Sequence, residues 1–225
     1  MGEMEKALTR SKRPSQCFEA LREMGQLEPW LKEVAALIGV KQRADCHPEG
    51  DAWTHTMLVV DEAAKLRDRA EHPLGLMLAA LLHDIGITIN FYSHARHSAY
   101  MILNAKLFGL THKEQVITAA IAGWHNGVSK NYFKDRFYKE LLSDANWKTI
   151  NKLALLLALA ESLDYTETSQ IHVIEPGINK KTATLKLYAQ GIPSIEMHQI
   201  QEHLSWFKKT FGVELKVQLA TAAEE

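Results

Sequence analysis

Near the middle of this 225-residue chain, an almost wholly apolar run, LGLMLAALL, ends directly in His83-Asp84. Pro73 opens the run and Gly86 follows it, so it reads as a helix that is apolar all round and must be buried on every side. A carboxylate and an imidazole at the end of such a helix cost several kcal/mol if they are desolvated alone. Other polar groups therefore have to meet His83 and Asp84 inside the fold.

Two further positions supply them. His55 shares a face with Val59, Ala63 and Leu66 in a helix expected over Trp53 to Arg69. Asp164 lies four, seven and eleven residues after Ala160, Leu157 and Leu153, on the apolar stripe of a helix expected over Trp147 to Leu163. A single histidine on an apolar face is ordinarily a core residue bonded to backbone. Two imidazoles and two carboxylates from three helices are better explained by a shared divalent cation. Oxygen and imidazole ligands without thiolate suit Mn, Fe, Co, Ni, Mg or Zn. The chain has eleven histidines and two cysteines, which excludes a disulfide framework and a cysteine metal finger.

The rest of the chain to about Thr168 is helical in pattern. Helices are expected over Ser15 to Met24, Pro29 to Ile38, His97 to Phe108, and from a capping box at Thr111 to His125. Lys41 to Asp51 reads as an irregular connection, Asn126-Gly127 as a break, and Arg10, Lys12 and Arg13 as part of a solvated terminus. After Thr168 the period changes to two. Ile171 to Glu175, Thr182 to Tyr188 and Val213 to Leu219 alternate as strands, with a helix over Ser194 to Phe211 and a frayed tail over Ala220 to Glu225. The expected fold is mainly α, with a helical body over residues 1–168 and a small β-β-α-β appendage over residues 169–225.

The spacing of His55, His83-Asp84 in LLHDIG and Asp164 in LALAESLDYT resembles the HD-domain metal-dependent phosphohydrolase superfamily, whose helical bundle the body is then expected to adopt. Residues 15–86, with PSQCFEALREMGQL and HPEGDAWTHTMLVVDEAAKL, resemble the HD region of bacterial CCA-adding enzymes (tRNA nucleotidyltransferases). Residues 83–217, with HDIGITINFYSHARHSAYMILNAKLFGLTHKEQ, GWHNGVSK and HLSWFKKTFGVELKV, resemble the C-terminal HD region of exopolyphosphatase and guanosine pentaphosphate phosphatase proteins. Neither family's catalytic head is recognisable in these residues, so only the chemistry of the HD module carries over. Ile87 replaces a lysine often found after HDxG in CCA-adding enzymes, and Ile87-Thr88 replaces the acidic pair of alarmone hydrolases. One metal at His55, His83, Asp84 and Asp164 is the base expectation; some HD proteins bind a second, for which His97 and His125 are the candidates here, with His94 a further candidate for the surroundings.

The activity implied is hydrolysis of a nucleotide-type phosphomonoester or phosphodiester through a metal-activated water. Asp84 would also orient that water, and Arg96 and Lys130 would neutralise charge on the phosphate. Two readings compete: an accessory module that grips polyphosphate, alarmone or RNA without turnover, and an HD-fold diiron oxygenase. A basic-aromatic stretch, Lys130 to Lys139, reads as a loop and an ordinary amphipathic helix, with stacking a base or following a phosphate chain as the alternative. The net charge of −1 excludes nothing but gives no support to a polyanionic partner, and 46% hydrophobic with 24% charged residues is ordinary globular composition. The longest apolar run near the C-terminal half, Leu153 to Ala160, is too short to span a bilayer. A cytoplasmic protein without a membrane partner is expected, with an exposed sheet edge that a second copy would cover in a homo-oligomer.

Overall fold

The apolar run becomes helix α6 (Pro73–Leu82), and its burial organises the first part of the chain. Gly75 and every residue from Met77 to Leu82 are buried. His72 caps the helix by accepting the Gly75 N–H on its Nδ1 at 3.1 Å, with Pro73 in the first turn. In this computed structural model the described residues are 2–41, 50–70, 72–107, 110–125, 136–166, 168 and 170–220. They divide into two compact units, the first ending at Ala154 and the second running Leu155–Glu225.

Among the described residues the named elements of the first unit are helices, with one isolated bridge between Lys41 and Asp51. Ahead of α6 come α1 (Gly2–Arg10), α2 (Ser15–Glu23), α3 (Leu27–Trp30), α4 (Lys32–Ala35) and α5 (Ala52–Leu66). After it come α7 (His94–Asn104), α8 (His112–Trp124), α9 (Arg136–Leu141) and the start of α10 (Asp144–Leu163). Helix α6 packs against α1, α5 and α8, and α7 packs against α8. Helix α8 is buried continuously from Val116 to Trp124, and Trp124 stacks on Trp147 with ring centroids 5.8 Å apart. The expected capping box is present: Thr111 Oγ1 accepts the Glu114 N–H, and Glu114 accepts the Thr111 N–H at 2.8 Å.

Several local expectations are corrected. The N-terminus is a helix with Leu8 buried, and the buried Arg67 guanidinium ties it down by donating to the carbonyls of Leu8 and Ser11. Arg13 pairs with Asp61, which also accepts from the Ser15 N–H and hydroxyl at 3.0 and 2.7 Å and so fixes the start of α2. The helix expected over Pro29 to Ile38 is two short ones, because Leu31 leaves the helical region at φ −140°, ψ 60°. Helix α5 buries Trp53, Thr56, Met57, Val60 and Ala64, so its core face is turned from the one expected and Leu66 is exposed. The helix expected from His97 begins at His94. Most of the 41–51 connection, the Asn126-Gly127 break, Lys130, the end of the His97 to Phe108 helix and residues 221–225 lie outside the described residues.

The second unit is a three-stranded sheet with helices on its apolar face. Strand β1 (Ile171–Ile178) pairs antiparallel with β2 (Thr182–Ala189), with Leu187 opposite Ile174 and Ala183 opposite Ile178. Strand β3 (Glu214–Ala220) returns after α11 (Ser194–Phe211) and pairs parallel with β2, Leu215 beside Ala183. A parallel return needs a crossover of this length, and α11 supplies it. Ala183, Leu187 and Leu215 form a core with Ile200 of α11 and with Leu155 and Leu159 of α10. The end of α10 thus belongs to the second unit. The mainly α class with a small C-terminal sheet is as expected.

Candidate metal centre

His83 and Asp84 follow the last turn of α6, both buried. The chain then makes a short 3₁₀ turn, Ile85–Thr88, that lies against α7. Gly86 permits the approach: a Cβ there would stand 2.2 Å from the His94 carbonyl oxygen and 2.4 Å from the Ser98 nitrogen. Its N–H donates to Ser98 Oγ at 2.8 Å. The glycine of HDIG is therefore a steric requirement, and it brings the first turn of α7 beside Asp84.

Four imidazoles from four helices or helix ends surround the Asp84 carboxylate. One oxygen, Oδ2, lies 3.3 Å from His83 Nε2 and 3.8 Å from Nε2 of His55 in the first turn of α5. The other, Oδ1, lies 3.3 Å from Nε2 of His94, the first residue of α7. His94 Nε2 in turn is 3.3 Å from Nε2 of His125, the buried residue that ends α8.

The backbone sets the tautomer of three of these rings. Nδ1 of His83 faces the Ala80 carbonyl at 2.9 Å, Nδ1 of His94 the Phe91 carbonyl at 3.1 Å, and Nδ1 of His125 the Ala122 carbonyl. A carbonyl cannot donate, so each Nδ1 carries a proton, and in the neutral ring the lone pair then sits at Nε2. Burial pushes the His125 imidazole down to about 3, with His83 adding to the effect and Asp84 opposing it. Burial likewise lowers His83 against the pull of Asp84. Burial alone would raise the Asp84 carboxyl, but His83, His94, His55 and His125 reverse this and hold it at about 2.

The result is a carboxylate whose pKa the surrounding imidazoles lower, with ring Nε2 atoms turned toward it. Asp84 Oδ1 is buried and accepts no hydrogen bond among the described residues, because His94 Nε2 lies within reach without donor geometry. Asp84, His94 and His125 each offer one ligand atom, all within 4.8 Å of one another. Imidazoles that spend Nδ1 on a backbone carbonyl and aim Nε2 at a carboxylate are arranged as metal ligands are, and this donor set fits a divalent cation.

The structure thus brings together His55, His83, Asp84 and His125 of the residues expected from sequence, and adds His94 in the place expected for His97. His97 is half-buried beside Gly86 and takes no part in the Asp84–His94–His125 group. Its Cβ is committed to the contact that the glycine allows, and the first residue of α7 is the one that faces α8. The signal for His94 was its position immediately after a turn-forming Asn90-Phe-Tyr-Ser, which starts the helix three residues early. Arg96 is exposed on α7, and Lys130 lies outside the described residues. Asp164 belongs to the second unit. It occupies the turn after α10, exposed and not on the buried stripe, with its N–H on the Glu161 carbonyl at 3.3 Å.

Among the described residues no helix is long and apolar enough to cross a membrane. Comparison with known proteins meets both resemblances. The chain is 51% identical over 75 residues to the Multifunctional CCA protein of Paraburkholderia phytofirmans, a stretch covering 33% of this chain and 17% of that protein. The Cupriavidus necator protein of the same name is 49% identical over 74 residues, covering 33% and 17%. That of Dechloromonas aromatica is 48% identical over 84 residues, covering 37% and 19%. The chain thus spans less than a fifth of the length of these relatives. A family model described as Ppx/GppA phosphatase, domain III, matches residues 54–199, which hold His55, His83, Asp84, His94, His125 and Asp164. That match takes in well over half of the sequence and runs through both units, and the chain belongs to the Ppx/GppA phosphatase domain III family.

Proposed function

We propose that the chain is a metal-dependent phosphohydrolase of HD type that cleaves a nucleotide-type phosphomonoester or phosphodiester. The observation that carries this reading is the Asp84 carboxylate, buried with one oxygen toward His55 and His83 and the other toward His94. His55, His83, Asp84, His94 and His125 are the residues that would hold a divalent metal there. A divalent cation bound there supplies Lewis acidity and lowers the pKa of water to near neutrality.

The protein's own part is to hold and to orient. Backbone carbonyls of Ala80, Phe91 and Ala122 lock three rings in the ligand tautomer, so no reorganisation is needed when a cation or phosphate arrives. Asp84 keeps its charge at neutral pH and can accept a hydrogen bond from the attacking water. Arg96, exposed two residues along α7 from His94, offers a planar fork to a phosphate oxygen. Lys130 would add a second positive charge. The partial cover of the CCA-protein relatives restricts the proposal to the module's own chemistry, with a small phosphorylated nucleotide as substrate and RNA or polyphosphate as the larger alternatives.

The test is elemental analysis and Mn²⁺ calorimetry of the purified chain beside Asp84→Ala, followed by phosphate release from linear and cyclic nucleotides. The expected result is bound divalent metal in the wild type, an affinity at least ~100-fold weaker in Asp84→Ala, and phosphatase activity lost with the metal. The sequence pattern predicts weaker binding for Asp164→Ala as well. Unchanged Mn²⁺ affinity in Asp84→Ala would overturn the site. Absence of metal after reconstitution would leave only a binding module, and two irons per chain would indicate the oxygenase.

A further inference from the structure

The segment between the Ile85–Thr88 turn and α7 carries two large rings into solvent: Phe91 is 56% exposed and Tyr92 80%. Exposed neighbouring aromatics are costly unless something covers them, and these two stand beside the candidate metal ligands. The Phe91 ring centroid lies 6.1 Å from that of His94, whose Nε2 is 3.3 Å from Asp84 Oδ1. Phe91 and Tyr92 meet edge to face at 5.9 Å and 81°, so the two faces diverge and leave ring surface open to a flat ligand.

The segment is also held in place. Asn90 Oδ1 accepts the Tyr92 N–H at 2.8 Å, and the Phe91 carbonyl accepts both the His94 N–H at 3.3 Å and its Nδ1–H at 3.1 Å. Ser93 adopts the left-handed region at φ 62°, the only described residue other than glycine to do so. A serine in that region is strained, and such strain collects where a structure must hold a functional geometry. The strained step turns the chain between the exposed rings and the ligand His94, so rings and ligand are built as one piece.

We infer that Phe91 and Tyr92 are specificity-determining residues that stack the nucleobase of the substrate while its phosphate lies at the Asp84–His94–His125 group. The inference rests on the phosphohydrolase reading for the phosphate end and on the ring geometry for the base end. Inorganic polyphosphate gains nothing from two aromatic faces, whereas every nucleobase does.

The experiment compares binding of the four ribonucleoside 5′-monophosphates with that of ribose 5-phosphate by calorimetry, in Mn²⁺-loaded and metal-free protein. Wild type, Phe91→Ala/Tyr92→Ala and the ring-preserving Phe91→Tyr and Tyr92→Phe are measured in parallel. The expected result is at least one nucleotide bound about tenfold or more tighter than ribose 5-phosphate. That advantage is lost in the double alanine variant and kept in the ring-preserving ones, with ribose 5-phosphate binding unchanged throughout. In turnover, the double variant raises KM for the nucleotide and leaves kcat in place. Equal affinity for nucleotides and ribose 5-phosphate in the wild type, or an advantage that survives the double substitution, overturns the inference. Failure of Mn²⁺ to bind overturns the phosphohydrolase reading alone, because the nucleotide advantage is read in the metal-free protein too.

Discussion

Two buried carboxylates, one in each unit, have opposite surroundings. Glu196, in the first turn of α11, is 2% exposed, and its Oε1 accepts both the Thr166 N–H at 3.1 Å and the Thr166 hydroxyl. Asp84 is 5% exposed, and its Oδ1 accepts no hydrogen bond among the described residues while imidazole nitrogens gather around it. Burial is the same in both, so burial does not distinguish them. Glu196 has spent its lone pairs on a turn, which makes it a structural clip. Asp84 instead turns Oδ1 toward imidazole nitrogens without accepting a hydrogen bond among the described residues, which is the arrangement the proposed cation would satisfy.

The comparison can be attacked at three points. The largest effect is expected for Gly86→Ala, whose new methyl would drive into the His94 carbonyl and the Ser98 nitrogen and cost about 3 kcal/mol. Because the collision moves the start of α7, Mn²⁺ affinity should fall together with the melting temperature. A Gly86→Ala protein with wild-type stability and affinity would remove the steric basis of the site. Next comes Glu196→Ala, which orphans the Thr166 N–H and should cost ~2 kcal/mol without touching Mn²⁺ binding. If calorimetry shows metal affinity falling with it, the division between clip and ligand collapses.

The smallest effect belongs to Asp51, a third carboxylate that caps α5 and is only partly buried. It accepts from the Thr54 N–H at 2.9 Å, the Thr54 hydroxyl at 2.7 Å and the Gly39 N–H at 2.9 Å. Asp51→Ala should cost about 1 kcal/mol at neutral pH by denaturant titration. Partial burial would raise its pKa, but these donors outweigh it and lower the value below the ordinary 3.8. Its stabilisation is therefore complete above that value and disappears as pH falls through the lower folded one. The gap between wild type and Asp51→Ala should close in strong acid, and a gap that widens there would contradict the assigned hydrogen bonds.

Much of the candidate site was legible because its signals are local and chemically costly. His83-Asp84 at the end of an all-apolar helix had to be satisfied somewhere, and His55 and His125 end up near them. The capping box at Thr111 was equally local. What sequence missed depends on tertiary contacts. Helix α1 is anchored through Arg67, a residue 57 places beyond Arg10 with no local mark of that role. The turn of α5 that exposes Leu66 is decided by what packs on Trp53 and Val60. His94 in place of His97 turns on where α7 starts, and that is set by Gly86 lying against Ser98. Asp164 shows the limit of periodicity: the helix ends at Leu163, one residue before the stripe would have carried the carboxylate inward.

The parallel pairing of β2 with β3 has a consequence for the order of folding. Strands β1 and β2 are neighbours in sequence, joined by a turn in which Asn179 Oδ1 accepts the N–H groups of Lys181 and Thr182, so their hairpin closes a short loop. Strand β3 reaches β2 only after the eighteen residues of α11 have been laid down. Long-range pairing of this kind is entropically late. During synthesis β2 therefore waits as an open edge until Glu214–Ala220 emerges, and refolding of this unit is timed by the return of its last strand.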